Sequence, residues 1–286
     1  MYAPSFAYHR ATSVADAQRL LAANPGAKLL AGGHSLLPIL KLRLAAPAAL
    51  VDIGRIADLK GVTAANGGVR IGAMTTHSEV ASAPLVQTEC AIVAEAAGQI
   101  GDPAVRNRGT IGGSVAHADP AADLPTVILA LDGTIEIAGA GGTRTVAASE
   151  FFLGMMTTAV GENEIVTAIW VPSLSGRGAS YQKFAHPASR YAVIGAAAVL
   201  EVAGGSCRSA RVAVGGLTVA PTRLAAVEQA LAGAALTPES IDAAAAKTAS
   251  ALPADLVGDI FASADYRRAI AGTYVARAIA AALKTS

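Results

Sequence analysis

The 286-residue chain has two cysteines, one tryptophan and 4% aromatic residues, and just 15% of it is charged. Each shortage excludes something. Cys90 and Cys207 lie far apart, each without a second cysteine nearby, so the chain cannot build a four-cysteine iron-sulfur cluster or zinc site of its own. Any such centre belongs to a partner. With 22 basic residues against 21 acidic ones, a net charge of +1 and both signs mixed along the length, the electrostatic footprint of nucleic-acid binding is missing. The longest apolar stretch, Tyr191 to Leu200, ends at Glu201 and falls far short of the roughly 20 residues a membrane span requires. The first ten residues hold no basic segment followed by an apolar one, so no signal peptide is expected and the expected location is the cytoplasm.

What is present is aliphatic: 53% of the chain is hydrophobic, mostly Ala, Val, Leu and Ile. A chain this long predicts two or three packed units. The charge content is well below the roughly 25% of ordinary soluble domains, which has two readings of equal weight. Partner subunits cover part of the exterior, or an alanine-rich genome bias is at work, as sixteen Arg against six Lys among the basic residues suggest.

Periodicity and punctuation predict an α+β fold. A strand or coil through Phe6–Tyr8 precedes a helix capped by Ser13 that stops at Asn24-Pro25-Gly26. Strands Lys28–Ala31 and Ala49–Ile53 flank a short helical turn over 36–44, giving a first unit over residues 1–55. A second unit, 56–175, opens with the turn Asn66-Gly67-Gly68 and strand Val69–Ala73. Helix over 77–100 in two pieces around Pro84, a short helix 124–131, and strands 134–137, 144–146 and 164–172 complete it. After the linker Ser173–Gly178, strands 179–184, 192–202 and 208–214 predict a three-stranded antiparallel sheet. From Pro221 onward the Ala-Leu spacing predicts several helices, one starting near Thr237-Pro238-Glu239, so the third unit runs over 176–286.

Two glycine-rich segments carry the candidate chemistry, Ala31-Gly32-Gly33-His34-Ser35 and Thr110-Ile111-Gly112-Gly113-Ser114. Paired glycines beside a hydroxyl residue let a backbone approach a phosphate and present N–H donors to it. A tight turn is an equal reading of the first segment by itself. Neither belongs to a G-x-G-x-x-G or a G-x-x-x-x-G-K-[ST] pattern, so a dinucleotide here is held in another way. The run Ile100–Ser114 packs Arg106, Asn107, Arg108 and four glycines into a stretch without regular period, as functional loops do. His117, Asp119 and Asp123 could be taken for a metal cluster, but the loop around Pro120 favours capping and cofactor contact. His34 reads as loop filler rather than a catalytic base, and His77, Glu79 and Glu95 as solvated helix positions. No catalytic residue and no metal ligand is assigned.

Four ordered motifs, Ala31–Leu36, Ile71-Gly72-Ala73-Met74-Thr75-Thr76-His77, Arg106–Ser114 and Asp119-Pro120-Ala121-Ala122-Asp123-Leu124-Pro125, together resemble the FAD-binding medium subunit of the molybdenum hydroxylases, the carbon monoxide dehydrogenase and xanthine dehydrogenase family. The resemblance spans essentially the whole chain. It implies a two-part PCMH-type FAD-binding region followed by a C-terminal domain with a three-stranded antiparallel sheet and a helical bundle. It implies FAD wrapped at its pyrophosphate by Leu29, Leu30, Ala31, Gly32, Gly33, His34, Ser35 and Leu36 and by Thr110, Ile111, Gly112, Gly113 and Ser114. Further cofactor contacts fall on Ile100, Asp123, Thr167 and Lys183, with Tyr191 beside the flavin ring. Lys183 near the ring would stabilise reduced anionic flavin.

The resemblance also implies a large molybdenum-cofactor subunit and a small subunit with 2Fe-2S clusters as partners, in a dimer of heterotrimers. Electrons would pass from the clusters through FAD to an external acceptor, the cofactor supplying the redox chemistry and the chain its orientation and electrostatics. A stand-alone flavin oxidoreductase of the same fold and a flavin-free scaffold subunit are the alternatives.

Overall fold

The computed structural model describes residues 2–286. The first strands are β1 (Ala7–Arg10), β2 (Lys28–Leu30) and β3 (Ala49–Asp52), joined through helices α1 (Val14–Ala23) and α2 (Leu36–Lys41). They pair in the order β1-β3-β2, all parallel. Ser13 caps α1 as its sequence predicts, its hydroxyl accepting from Asp16 N at 3.1 Å. Parallel strands need crossover helices, and the chain returning from β2 into α2 is the first glycine segment.

The middle of the chain forms a five-stranded antiparallel sheet from β4 (Val62–Ala65), β5 (Gly68–Gly72), β6 (Thr134–Gly139), β7 (Gly142–Ala147) and, after the small hairpin β8 (Phe152–Gly154) and β9 (Thr157–Thr158), the central strand β10 (Ile165–Pro172). Asn66 and Gly67, both at positive φ, make the two-residue turn between β4 and β5. The long excursion between β5 and β6 is helical: α3 (His77–Ser82), α4 (Pro84–Glu89), α5 (Ala91–Gly98), α6 (Pro103–Arg106), α7 (Ile111–His117) and α8 (Asp123–Ala130), with α9 (Ala148–Phe151) after β7. The helix expected in two pieces over 77–100 is in three, because the backbone also breaks at buried Cys90.

The last third is the predicted meander, β11 (Gly178–Ala185), β12 (Ala192–Ala203) and β13 (Ser206–Gly215), with a fourth, two-residue strand β14 (Thr222–Arg223) at its edge. The three-stranded expectation missed β14 because nothing in two residues marks a strand. Arg223 pins it, bonding Asp132 and Glu228 at 2.6 Å each. Helices α10 (Ala225–Leu231), α11 (Pro238–Ala245), α12 (Thr248–Ala251) and α13 (Ala264–Leu283) follow, and α11 begins at the Thr237 cap that the sequence marks.

Both faces of the C-terminal sheet are buried, so β12 reads as nearly continuous Ala and Val. Alternate residues, Ala197 and Val199, join the core under α5 and α8. Ala196, Ala198 and Leu200 join the core under α10, α11 and α13. Among the described residues no helix is long and apolar enough to cross a membrane.

Candidate functional site

The two glycine segments pack directly on each other. A Cβ at Gly32 would collide with the Arg108 carbonyl oxygen, with Gly109 Cα at 2.8 Å, and the nearest side chain to a Cβ at Gly113, beyond its own Thr110, is Ala31 at 3.8 Å. Gly112 is as tightly enclosed, by Ala73 at the end of β5, whose Cα and carbonyl oxygen would lie 2.7 Å from an added Cβ. These glycines therefore allow protein backbones to meet, a role that the expectation of phosphate approach did not include.

The segments differ in what they offer a ligand. In the second, every amide at the start of α7 is engaged: Ile111 N donates to Thr75 O at 3.0 Å, Gly112 N to Ala73 O at 2.9 Å, Gly113 N to Thr110 Oγ1 at 3.1 Å and Ser114 N to Thr110 O at 3.0 Å. In the first, the consecutive amides of Gly32, Gly33, His34, Ser35 and Leu36 have no acceptor among the described residues. Backbone amides are obligatory donors, and five in a row without partners make a concave nest for an anion.

Both segments line one cavity of about 800 Å³, within the range of cofactor and ligand sites. Its walls come from the first two sheets with their loops and helices, and from the β11–β12 loop at Ser189, Arg190 and Tyr191. The cavity gathers Leu29, Ala31 through Leu36, Ile100, Thr110, Gly112, Gly113, Ser114, Asp123 and Tyr191 of the residues singled out in the sequence. Leu30, Ile111, Thr167 and Lys183 are not on its surface. Leu30 pairs with Asp52 inside the first sheet, and Ile111 is wholly in the core. Thr167 is the extra residue of a bulge in β10, its hydroxyl donating to Glu136 O at 3.3 Å, while its neighbour Val166 reaches the cavity instead.

Lys183 lies behind Asp123. Its side chain is 2% exposed, and Nζ sits 2.9 Å from Asp123 Oδ1 and 3.0 Å from Oδ2, with a third bond to Gln99 O at 3.3 Å. The Tyr181 hydroxyl, completely buried, donates to Asp123 Oδ1 at 2.6 Å. Burial pushes the Asp123 carboxyl up, opposed by the Lys183 ammonium and the Tyr181 hydrogen bond. Tyr181 and Lys183 thus both donate to the carboxylate at the cavity wall and favour its charged form against burial.

His77 and Glu95 are not solvated, contrary to the sequence reading. His77 is 5% exposed and lines the cavity, its ring against Gly109 and its Nδ1 without a partner. Burial, reinforced by nearby His34, pulls its pKa down to about 4. Glu95 is half-buried and accepts from Tyr181 N at 2.9 Å; burial raises its pKa. Glu79 does face solvent, closing a capping box with Thr76. Sequence reading also missed Met74, Met156 and the segment Gly161–Val166 in the wall. The motif Ile71–His77 carried the signal for His77, but a lone histidine at a helix start reads equally well as surface.

Comparison with known proteins decides what this arrangement belongs to. Residues 4–174 match the FAD binding domain in molybdopterin dehydrogenase, and residues 179–282 match the CO dehydrogenase flavoprotein C-terminal domain. The chain belongs to the FAD-binding medium subunits of the molybdenum hydroxylases. This medium subunit is 44% identical to the carbon monoxide dehydrogenase medium chain of Hydrogenophaga pseudoflava, over 99% of this chain and 98% of that one. It is 36% identical to the nicotine 6-hydroxylase medium subunit of Paenarthrobacter nicotinovorans, over 98% of each. Its fold superposes with a TM-score of 0.95 on a chain of the solved carbon monoxide dehydrogenase from Hydrogenophaga pseudoflava that lacks the Mo-pyranopterin moiety of its cofactor, at 42% identity, covering 100% of this chain and 99% of the other. The medium subunit is thus the flavoprotein component of an oxidoreductase, and the cavity's free amides, hydroxyls and carboxylate suit the phosphates, hydroxyls and ring of FAD.

Proposed function

We propose that the medium subunit holds FAD in the 800 Å³ cavity and relays electrons from a partner's 2Fe-2S clusters to an external acceptor. The observation that carries the reading is the run of five unpartnered amides over Gly32–Leu36 in a wall that also contains the buried carboxylate of Asp123. The amides would receive the pyrophosphate, with Ser35 and Ser114 hydroxyls as further donors. Thr110, Gly112 and Gly113 would form the adjoining wall, backed by Ile111, as Leu30 and Thr167 back the neighbouring strands. Asp123 would repel phosphate and accept from a hydroxyl or ring N–H, which orients the ligand. Ile100 would supply apolar contact. Tyr191, 43% exposed at the cavity edge, would cover the ring. Lys183 would act through Asp123 rather than by touching the cofactor. Bound there, FAD supplies two-electron storage with one-electron exchange.

Partners fit the same reading. Both thiols are buried, and burial pushes Cys90 up to about 12, so neither is a cluster ligand in waiting. The relatives' names, a medium chain and a medium subunit, support a large molybdenum-cofactor subunit and a small 2Fe-2S subunit, assembled as a dimer of heterotrimers in the cytoplasm. Exposed Leu37, Leu42 and Leu44 around α2, and Leu153, Met155 and Met156 on the β8–β9 hairpin, are apolar surface of the kind partners cover. The division into units 1–55, 56–175 and 176–286 is part of the same proposal, supported by the distribution of the strands over three large sheets. The test is purification of the native assembly with metal and flavin analysis. Molybdenum, iron and FAD should co-purify with this chain and the flavin should bleach on anaerobic addition of the complex's substrate; a chain that isolates without metals yet oxidises a substrate itself contradicts the relay.

A further inference from the structure

Asp123 opens α8 in the FAD-binding half, yet its two side-chain partners, Tyr181 and Lys183, both come from β11 of the C-terminal sheet. Tyr181 is fixed at both ends. Its backbone N–H donates to Glu95 on α5 at 2.9 Å, and its hydroxyl reaches Asp123 at 2.6 Å. The hydroxyl passes over Gly195 of β12, where any Cβ would collide with the oxygen, while the ring carbons Cε2 and Cζ would stand 3.0 Å away. Gly195 pairs with Lys183 and neighbours Tyr181 diagonally across the strands. Glycine, tyrosine and lysine together converge on one carboxylate. A carboxylate has about four acceptor sites; three bonds are made here, and the residue lines the cavity.

We infer that Tyr181, with Gly195 clearing its path, is a positioning residue of the cavity, holding Asp123 as the acceptor for a hydrogen-bond donor of the bound cofactor, a hydroxyl or ring N–H rather than a phosphate. This rests on the reading that the cavity holds FAD. Tyr181 touches no ligand itself; without its hydroxyl Asp123 keeps the Lys183 charge but loses the bond that sets its direction.

The experiment is FAD titration of the flavin-stripped full chain, followed by quenching of flavin fluorescence, for wild type, Tyr181→Phe, Asp123→Asn and the double variant. Tyr181→Phe should weaken FAD about tenfold, the usual scale for a hydrogen bond to a charged group. In the Asp123→Asn background the same change should cost about twofold or less, because no anion is left to aim. Thermal unfolding of the apoprotein gives an independent arm. Gly195→Ala should lower the melting temperature, and adding Tyr181→Phe should restore part of it by removing the colliding oxygen. An equal affinity loss in both backgrounds, an unaffected Tyr181→Phe, or a Gly195→Ala/Tyr181→Phe pair less stable than Gly195→Ala alone overturns the inference. Wild type that takes up no FAD overturns the reading of the cavity itself, and the inference with it.

Discussion

Replacing Gly112 by Ala separates a glycine kept for protein packing from one kept for a ligand. The added methyl would press on Ala73, whose Cα and carbonyl oxygen lie 2.7 Å from the new Cβ. Neither can swing away, since Ala73 N is bonded to Thr167 O at 2.9 Å and the residue is buried. The start of α7 must therefore lift. That strains the Gly112 N–H bond to Ala73 O, worth about 1–3 kcal/mol when a buried group is left unpaired, and adds an overpacking cost of about 1–3 kcal/mol. Helix propensity returns about 1 kcal/mol, for a net loss of about 3 kcal/mol. At Gly113 the new methyl would meet mainly the Thr110 hydroxyl, at 2.8 Å, so Gly113→Ala should change stability by less than about 1 kcal/mol while weakening FAD from the cavity side. Urea unfolding of flavin-free protein measures the first effect and FAD titration the second. Gly112→Ala apoprotein as stable as wild type would refute the packing argument.

His77 predicts an acid-sensitive term in stability. Its folded pKa is about 4 against roughly 6.5 in an unfolded chain, so between these values the unfolded state binds the extra proton and stability falls as pH falls. The loss begins near pH 6.5 and reaches about 3 kcal/mol by pH 4; denaturation curves for wild type and His77→Phe should diverge over that window, and parallel pH profiles would contradict the assignment. Lys183→Met strands the Asp123 carboxylate without its cation and should cost about 3–5 kcal/mol in unfolding experiments; adding Asp123→Asn should recover much of it. Because Nζ lies behind the carboxylate, any FAD the single variant keeps should show a nearly unchanged reduction potential, and a large negative shift would instead place Lys183 at the ring.

The elements most legible in the sequence are those with local causes. Ser13 and Thr237 cap their helices, Asn66-Gly67 turns its hairpin, and the apolar run in β12 marks a strand buried on both faces. The glycine segments, at irregular places in the chain, and Asp123, marked by the family resemblance, were legible as residues that the fold brings to one cavity. What the sequence hid is long-range. Gly32 and Gly112 look like phosphate-approach glycines, and only the fold reveals Arg108 and Ala73 against them. Lys183 alternates along β11 as a cofactor contact could, but Asp123, 60 residues earlier, intercepts it. Thr167 is the unpaired residue of the bulge in β10 and stays out of the cavity wall, which Ile165 and Val166 line instead, and nothing in the sequence marks that bulge. His77 is buried by Gly109, whose missing side chain makes room for the ring.

The central claim is that one FAD occupies the cavity that both glycine segments line, with its pyrophosphate on the amides of residues 32–36. The most direct measurement is the flavin content of the purified full chain after incubation with excess FAD and gel filtration, with FMN and riboflavin in parallel. The account predicts one FAD per chain and no retention of riboflavin, which has no phosphate for those amides to hold. A colourless protein, or one that retains riboflavin as well as FAD, would contradict it.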